Sequence, residues 1–313
     1  MPTIHTLLPE RRTLRGYFSR DLQPVLTIQS GDTVRFTTLD SNWGLEPFVG
    51  GEYYHHRRVF EGRDPKLDDG HALTGPIAIE GAQPGMTLEI QIKRIELGGW
   101  GYCLGGGWPS ATNKRFNIIS RGIVHSWEFD KQRMIGRNHL GHTAVLRPFM
   151  GIMGMPPDEP GIHSTIPPRI YGGNLDCREL VEGSTLYLSI AVAGGLFSTG
   201  DGHAAQGDGE IGGTAIECPM DLVELTFNVR DDFPVTTPVA NTPAGWITMG
   251  FDASLNEAAF MALEAMFLLM ERLYGLDRWE VVALSSHAVD LHITQIVNEL
   301  GGVHAILPHG RVR

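Results

Sequence analysis

Residues 86–93 read Met-Thr-Leu-Glu-Ile-Gln-Ile-Lys, and this alternation of apolar and polar side chains predicts a β-strand. The same period-two pattern recurs in residues 186–192 and 223–230. Successive side chains of a strand point to opposite faces, so each segment is expected to bury one face in a core. The sequence therefore predicts a β-rich α+β protein whose strand-rich body consists of sandwich- or barrel-like sheets.

The C-terminal residues follow a helical pattern instead. Ser254 and Glu257 fit an S-x-x-E capping box, and Gly275 fits the end of the same helix. Apolar side chains between them recur at helical spacing, which predicts that they face the core: Phe260, Leu263, Phe267, Met270 and Tyr274. A second short helix is expected from Asp277, whereas residues 289–297 fit either a strand or a helix.

These two patterns predict the organisation of the chain. We expect one catalytic unit over residues 1–313, with a β-rich part over 1–245 and a helix-containing part over 246–313. Residues 155–168 are rich in proline and are interpreted as a loop, since similar strand patterns lie on both sides of them.

Composition narrows the classes of partner and compartment. The 313 residues are 42% hydrophobic and 19% charged, as in ordinary globular proteins, and their formal charge of -11 argues against a nucleic-acid partner. Residues 1–14 lack the apolar region of a secretory signal, and the apolar stretch at 260–270 is interrupted and too short to span a membrane. Three cysteines at unrelated spacings indicate no disulfide framework. We therefore expect a cytoplasmic protein without membrane contact.

The densest group of ionisable residues lies in 200–210, Gly-Asp-Gly-His-Ala-Ala-Gln-Gly-Asp-Gly-Glu. Asp201 and His203 are two positions apart, so on an extended backbone their side chains share a face. A carboxylate oxygen and an imidazole nitrogen that converge there suit zinc or a similar divalent ion. The alternative to an ion site is a glycine-rich polar hairpin whose acids are solvated. Because ionisable groups are crowded between apolar strands, the sequence supports both interpretations equally.

Further polar residues lie at the ends of other predicted strands. Asp40 ends the strand that begins at Thr33, and Asn174 and Asp176 lie on a turn before the next strand. Glu217 stands between Ile216 and Cys218, where burial would raise its pKa toward that of a general base. A surface-facing side chain is the other interpretation of this glutamate.

Several segments resemble the acetamidase/formamidase family in the family's order: residues 31–40, 73–85, 173–176, 184–192, 200–210 and 213–217. The resemblance implies a β-rich fold with a helical C-terminal part and hydrolysis of a short amide to a carboxylic acid and ammonia. It also implies a homo-oligomer and a divalent metal, with zinc foremost and calcium or manganese as alternatives. Met86 and Ser189 depart from the family's pattern at positions that look structural.

Residues 98–120 have no recognised counterpart in the family. This segment contains Trp100, Tyr102 and Trp108 among six glycines. If it borders the site, formamide or acetamide need not be the natural substrate. Larger linear amides and cyclic amides such as lactams then stay open.

The resemblance and the residues together suggest a metal-assisted mechanism. Asp201 and His203, with Asp40 as third ligand, would hold a divalent ion that lowers the pKa of a water molecule, and the resulting hydroxide would attack the amide carbonyl. Glu217, or Glu210 if it points inward, would transfer the proton to the departing nitrogen.

Other residues of the sequence suggest how a substrate is bound and which alternative functions stay open. Asn174, next to Asp176, could position the amide, which gives these two residues a substrate-binding role. One alternative is a metal-independent amidase with a cysteine or carboxylate nucleophile, although Cys177 and Cys218 fit better as small buried side chains. Another is a protein that binds a metal or a small amide without chemistry.

Overall fold

A computed structural model describes residues 2–52 and 57–312 of the chain. Within those ranges the elements are β1 (Ile4–Leu7), β2 (Leu14–Arg15), β3 (Leu26–Ile28), β4 (Thr33–Thr38), β5 (Gly51–Glu52), β6 (Leu73–Ile79), β7 (Thr87–Leu97), β8 (Trp100–Gly106), α1 (Ala111–Arg115), β9 (Gly122–Asp130), β10 (Ile135–Asn138), β11 (Thr143–Val145), β12 (Phe149–Gly154), β13 (Pro168–Arg169), β14 (Gly172–Asn174), β15 (Thr185–Ser189), β16 (Phe197–His203), β17 (Glu217–Cys218), β18 (Met220–Arg230), β19 (Val239–Thr242), β20 (Gly245–Asp252), α2 (Leu255–Tyr274), α3 (Arg278–Ala288), β21 (Asp290–Asn298) and β22 (Leu300–Pro308).

The three strands predicted from alternation lie side by side in one sheet. Its order over the described residues is β1-β4-β18-β7-β15-β19-β20-β22-β21. The pairs β18–β7 and β7–β15 are antiparallel, and Leu88, Ile90 and Leu225 on their inner face are completely buried. The alternation therefore predicted both these strands and their buried side.

A second sheet carries the residues predicted to do chemistry. Its main path over the described residues is β11-β10-β9-β8-β17-β16-β12-β14-β13. Strand β6 also pairs with β16 and brings β2 and β3 with it, while β5 pairs with β9. Strand β16, which contains Asp201 and His203, thus lies in the interior of this sheet.

The two sheets share one hydrophobic core. Phe36 and Phe227 of the first sheet contact Phe197 of the second, with ring centroids 6.4 and 5.0 Å from it. Cys177 and Cys218 belong to the same buried cluster, as expected for small apolar side chains. The prediction of a strand-rich body with few helices is confirmed. The two sheets are stabilised mainly by burial of their facing sides against each other.

Helix α2 has the predicted bounds but buries only part of the predicted stripe. The Ser254 side chain accepts a hydrogen bond from the Glu257 backbone N–H, and Gly275 ends the helix in a left-handed conformation. Within the bulky stripe that was predicted to face the core, Met270 is buried but Phe260 is 63% exposed. The buried face is formed by Ala258, Ala262, Ala265, Met266, Leu269 and Met270. Close packing explains the difference, since a Cβ atom on Gly250 of β20 would lie 2.1 Å from the Ala258 carbonyl oxygen.

The remaining C-terminal predictions are settled by α3 and β21. Asp277 caps α3 in a complete capping box with Glu280, and residues 289–297, left open between helix and strand, belong mostly to β21. Strands β20, β22 and β21 complete the first sheet, so the sheet extends into the C-terminal part as far as Pro308. In the described part of the chain, none of the helices has the length and apolar character that a membrane crossing needs.

Candidate active site

Pairing between β16 and β17 places three ionisable side chains together. His203 lies opposite Glu217 in the antiparallel register, and Asp201 precedes His203 by two positions. The His203 Nε2 atom lies 3.4 Å from Asp201 Oδ2 and 3.3 Å from Glu217 Oε1. All three side chains are buried, so the structure does not support the interpretation of a solvated polar hairpin.

An extended backbone at Asp201 was assumed from the sequence, but the backbone at this residue is not regularly extended. Its φ angle is 57°, although its neighbours Gly200 and Gly202 keep the antiparallel pairing with Ile152 and Met150 of β12. Asp176 and Glu210 also have positive φ, at 47° and 45°. A left-handed non-glycine residue costs about 1–3 kcal/mol and persists where surrounding structure fixes it, commonly at functional sites.

Asp176 and Glu210 extend the group around His203. Each offers an oxygen within 4.8 Å of a His203 nitrogen and of the other. The Asn298 side-chain amide lies 2.7 Å from Asp176 Oδ2 and 3.3 Å from Glu210 Oε2. Glu210 therefore points inward, which was the condition for its proposed role in proton transfer.

Gly151 forms the backbone beneath this group. A Cβ atom on Gly151 would lie 2.7 Å from Asp201 Oδ2, 2.8 Å from His203 Cε1 and 2.9 Å from Asp176 Oδ1. The Gly151 carbonyl oxygen also accepts hydrogen bonds from the backbone N–H groups of Leu175 and Asp176, at 2.9 and 3.2 Å. The absence of a side chain at residue 151 thus creates the space in which the acids and the imidazole meet.

The orientation of His203 is fixed by a chain of hydrogen bonds. Its Nδ1 atom lies 2.9 Å from Gln206 Oε1, and the Gln206 amide donates to the Asp176 carbonyl oxygen at 2.8 Å. A glutamine oxygen can only accept, so Nδ1 carries the proton and, in the neutral ring, Nε2 has the free lone pair. This leaves Nε2 available as a ligand between Asp201 and Glu217.

Burial and mutual repulsion shift the protonation of the acids. Burial raises the pKa of Asp176 and Glu210, and raises that of Glu217 to about 7. For Asp201 burial acts in the same sense, but the positive charges of His203 and His71 outweigh it and lower the pKa. Burial opposes charging of His203, yet Glu217 and Asp201 overcome it and raise the pKa of the imidazole.

This donor set fits a divalent cation. Four buried carboxyl groups surround one imidazole. Three atoms of this group of five side chains lack a hydrogen-bond partner in the described structure: Asp176 Oδ1, His203 Nε2 and Glu217 Oε2. Buried polar atoms without partners cost free energy, and buried charges are normally paired or bound to metal. A nitrogen and several carboxylate oxygens suit zinc, manganese or, with more oxygens, calcium.

A cavity of about 250 Å³ opens beside the group. It is lined by Ser41, Asn42, His71, Leu104, Trp108, Asn174, Asp201, Glu210, Gly213, Thr214, Glu217 and Asn298. Its volume lies at or below the usual range for ligand sites of roughly 300–1,000 Å³, which suits a small substrate. Leu104 and Trp108 supply an apolar wall, so the unusual segment 98–120 does border the site.

The structure does not bring Asp40 into the group around His203. Its carboxylate forms a two-point ion pair with Arg57, with Nη1–Oδ2 and Nη2–Oδ1 distances of 2.5 and 3.1 Å. The backbone N–H groups of Asn42 and Gly44 donate to Oδ1 at 2.9 and 2.8 Å. Asp40 thus holds the loop that carries Ser41 and Asn42 to the cavity, and Glu217 takes the position next to His203.

Asn174 lies in the cavity wall. Its amide nitrogen donates to the Ile166 carbonyl oxygen at 3.0 Å, which leaves Oδ1 buried and without a partner in the described structure. An amide oxygen held in this way can accept a hydrogen bond from the NH₂ group of a substrate. The neighbouring Asp176 belongs to the ionisable group behind the wall.

Three residues of the site were not predicted from the sequence: His71, Gln206 and Asn298. His71 stands two positions before the recognised segment 73–85, so a slightly longer comparison would have included it. Its Nδ1 atom lies 2.8 Å from Thr165 Oγ1, which orients the ring at the cavity. Asn298 directly follows the segment 289–297, whose conformation was left open, and nothing in its local sequence indicates that it reaches residues 176 and 210.

Comparison with known proteins places the chain in a family. The model of the acetamidase/formamidase family matches residues 8–164 and 161–309. An acetamidase structure from Bacillus halodurans is 27% identical, with a TM-score of 0.83 over 97% of both chains. The acetamidase of Mycolicibacterium smegmatis is 24% identical over 77% of this chain and 75% of its own. The formamidase of Methylophilus methylotrophus is 26% identical over 61% of this chain, and the match spans 58% of that protein.

The chain belongs to the acetamidase/formamidase family. The family match covers nearly all of the described residues, including both strands and loops that build the His203 site. The resemblance found in the sequence is thereby confirmed.

Proposed function

We propose that this protein is an amidase that hydrolyses the C–N bond of a small amide and releases a carboxylic acid and ammonia. The observation that carries the proposal is the cavity in which Asp201, Glu210 and Glu217 meet beside the unpartnered Nε2 atom of His203. Family membership and the similarity to named acetamidases and formamidases support the same reaction.

Asp201, His203 and Glu217 are proposed to hold a divalent cation, with zinc the first candidate and manganese or calcium as alternatives. Their ligand atoms lie within 4.8 Å of one another, and Asp201 and Glu217 line the cavity. When bound, such an ion would supply Lewis acidity toward a carbonyl and lower the pKa of a water molecule. Gln206 would keep the His203 ring oriented for this role, because second-sphere hydrogen bonds fix ligand tautomers.

Glu210 and Asp176 are proposed to move the proton. The two carboxyl groups lie together, and burial with mutual repulsion raises the pKa of both, which favours the protonated form of each acid next to the other. Glu210 faces the cavity and can accept a proton from water, then return it to the departing nitrogen. The Asn298 amide bridges both acids and holds them in place for this transfer.

The substrate class follows from the cavity wall. Asn174 Oδ1 can accept from the amide NH₂ group, while Leu104 and Trp108 offer apolar contact to a substituent on the carbonyl carbon. We therefore propose a primary amide with a short apolar substituent, with lactams of similar size as the cyclic counterpart. Formamide would leave the apolar wall without a contact.

The test is a panel of linear and cyclic amides assayed for ammonia or acid release, with and without a chelator. Asp201→Asn is the informative variant because asparagine tolerates the left-handed conformation, so the fold is preserved while a charged ligand is lost. Asp69→Asn is the matched control, since the Asp69 side chain is 96% exposed. Binding of an amide or a metal without release of product would support a non-catalytic protein instead.

A thiol nucleophile is a weaker alternative. Cys177 and Cys218 are completely buried, and burial raises the pKa of both thiols, to about 12 for Cys177. Unchanged turnover in a chelator, with loss of turnover in Cys177→Ala or Cys218→Ala, would nevertheless favour it over the cation mechanism.

We also propose that the protein is a cytoplasmic homo-oligomer. All three cysteines are free, which fits a reducing compartment. Phe260 and Trp279 on the helical part are 63% and 82% exposed, and large exposed aromatic side chains favour contact with another chain. Light scattering of Trp279→Ser should show a smaller particle than the wild type.

A further inference from the structure

A second group of potential ligands lies outside the cavity. Asp208 precedes Glu210 by two residues, and His292 of β21 lies directly opposite His304 of β22. Each of the three offers a ligand atom within 4.8 Å of the other two. A loop and a hairpin that are 80 residues or more apart in sequence thus present three donors to one point.

His304 provides an independent indication of a missing ligand. Its side chain is completely buried, and its Nδ1 atom lies 2.7 Å from Thr294 Oγ1. The other ring nitrogen, Nε2, has no hydrogen-bond partner in the described structure. A buried nitrogen without a partner costs roughly 1–3 kcal/mol, so a purely structural histidine would be expected to satisfy both nitrogens.

We propose that Asp208, His292 and His304 form a second cation site, distinct from the one at His203, that binds a transition metal such as zinc. Two imidazoles and one carboxylate are a common ligand set for zinc, whereas calcium and magnesium prefer oxygen alone. The Nδ1 atom of His292 lies 3.0 Å from Asp208 Oδ2. Two ligands bound to one zinc at about 2.0–2.2 Å each lie roughly this far apart.

Arg178 is a neighbouring cation that the site has to accommodate. Its Nε atom lies 3.1 Å from Asp208 Oδ1 and 3.4 Å from Glu179 Oε1, so its charge is shared between two carboxylates. The other oxygen of Asp208, Oδ2, faces His292. Arg178 therefore forms an ion pair with the Asp208 oxygen that does not face His292, and Oδ2 stays available as a ligand.

An ion at this position would fix the loop that carries Glu210. Gly209 donates to the Thr294 carbonyl oxygen and accepts from the Ile296 N–H, both at 3.1 Å, so the loop already lies along β21. The same strand carries Asn298, which contacts Asp176 and Glu210. The second site is thus a positioning site that connects the C-terminal hairpin to the proton-transfer pair.

Access from solvent is available on the loop side. Asp208 lines a separate cavity of about 390 Å³, and the His292 side chain is 35% exposed. Exchange of the ion would therefore not require unfolding of the sheet.

The experiment counts cobalt ions bound by the full-length protein after chelation and dialysis. Co²⁺ titration, followed by its visible absorption and by elemental analysis, should give two equivalents for the wild type. His292→Ala should bind one, Asp201→Asn should bind one, and the double variant should bind none. His287→Ala, an exposed histidine on α3, is the matched control and should still bind two.

The outcomes separate this site from the proposed active site. Wild-type and His292→Ala proteins that bind the same number of ions would overturn the second site. A single wild-type equivalent that His292→Ala loses and Asp201→Asn keeps would support it while removing the cation from the His203 site. Zinc should also raise the melting temperature of Asp201→Asn, and that rise should vanish in the double variant even if His292→Ala alters the fold slightly.

Discussion

Two buried acidic regions lie next to each other in this protein, and they differ in how their charges are neutralised. Asp40 is paired with Arg57 and with two backbone N–H groups, so the chain itself supplies every partner it needs. The group around His203 has four carboxyl groups for one imidazole and leaves three of their atoms without partners in the described structure. A satisfied buried acid fixes a loop, whereas an unsatisfied group is prepared for something the chain does not contain.

The largest expected effect comes from breaking the unsatisfied group. His203→Ala should lower kcat/KM by about 10³-fold or more, because the only nitrogen donor of the group and its hydrogen bond to Gln206 are both lost. Metal content, measured by elemental analysis in a His292→Ala background, should fall with activity. Circular dichroism should show an intact fold. Full turnover in a metal-free His203→Ala protein would contradict the proposed site.

A substitution in the Asp40 region should lower the stability of the protein and leave its metal content unchanged. Asp40→Asn leaves the Arg57 guanidinium buried beside a neutral group, and loss of one partner of a buried ion pair costs about 3 kcal/mol or more. Urea unfolding should report this loss. Glu224→Gln breaks the half-exposed pair with Arg35 and should cost less than about 1 kcal/mol. If Asp40→Asn instead released the metal at constant stability, the assignment of Asp40 to the loop would be wrong.

A substitution at Gly151 tests whether the acids and His203 can come together only because residue 151 has no side chain. The Cβ atom of Gly151→Ala would lie under 3 Å from atoms of Asp176, Asp201 and His203, so these groups must move apart. A displacement of about 1 Å at a catalytic centre can cost about 10²-fold in rate. Gly207→Ala is the matched control, since a Cβ atom there meets nothing within 4 Å and kcat should stay near the wild-type value.

The sequence predicted the strands and the reactive segment, but it did not predict which acids meet. Alternation located β7, β15 and β18 because burial of one sheet face requires it. The buried face of α2 was predicted correctly at Met270 but not at Phe260, because close packing against Gly250 favours alanine over larger side chains. Asp40 was assigned to the metal because its partner, Arg57, is distant enough in sequence that no local pattern connects them.

Long-range strand pairing also explains why the contacts of Asn298 with the site were not predicted. Asn298 reaches Asp176 and Glu210 across 122 and 88 positions, and only the sheet order brings β21 beside the loop at 207–210. Positive φ at Asp176, Asp201 and Glu210 has no signal in composition, since glycine and asparagine are the residues that normally indicate it. These features arise from tertiary structure and become visible only there.

The smallest expected effect is the pH dependence of the metal-free protein. Burial raises the pKa of Glu217 from 4.5 to about 7, so the folded state holds this proton more tightly than the unfolded state. The contribution of Glu217 to stability is therefore complete below pH 4.5 and is lost as the pH rises through about 7. His304 acts in the opposite sense, because burial lowers its pKa to about 4 and favours folding as the pH rises.

Comparison with Glu217→Gln separates the two contributions, since both proteins retain His304. In the presence of a chelator, the wild type should lose on the order of 2 kcal/mol relative to Glu217→Gln between pH 5 and pH 7.5. Urea unfolding at the two pH values measures this difference. Added zinc should abolish it, because a cation at Glu217 favours the ionised carboxylate. An equal pH dependence in both proteins would mean that Glu217 is as well satisfied as Asp40, and the contrast between the two regions would be lost.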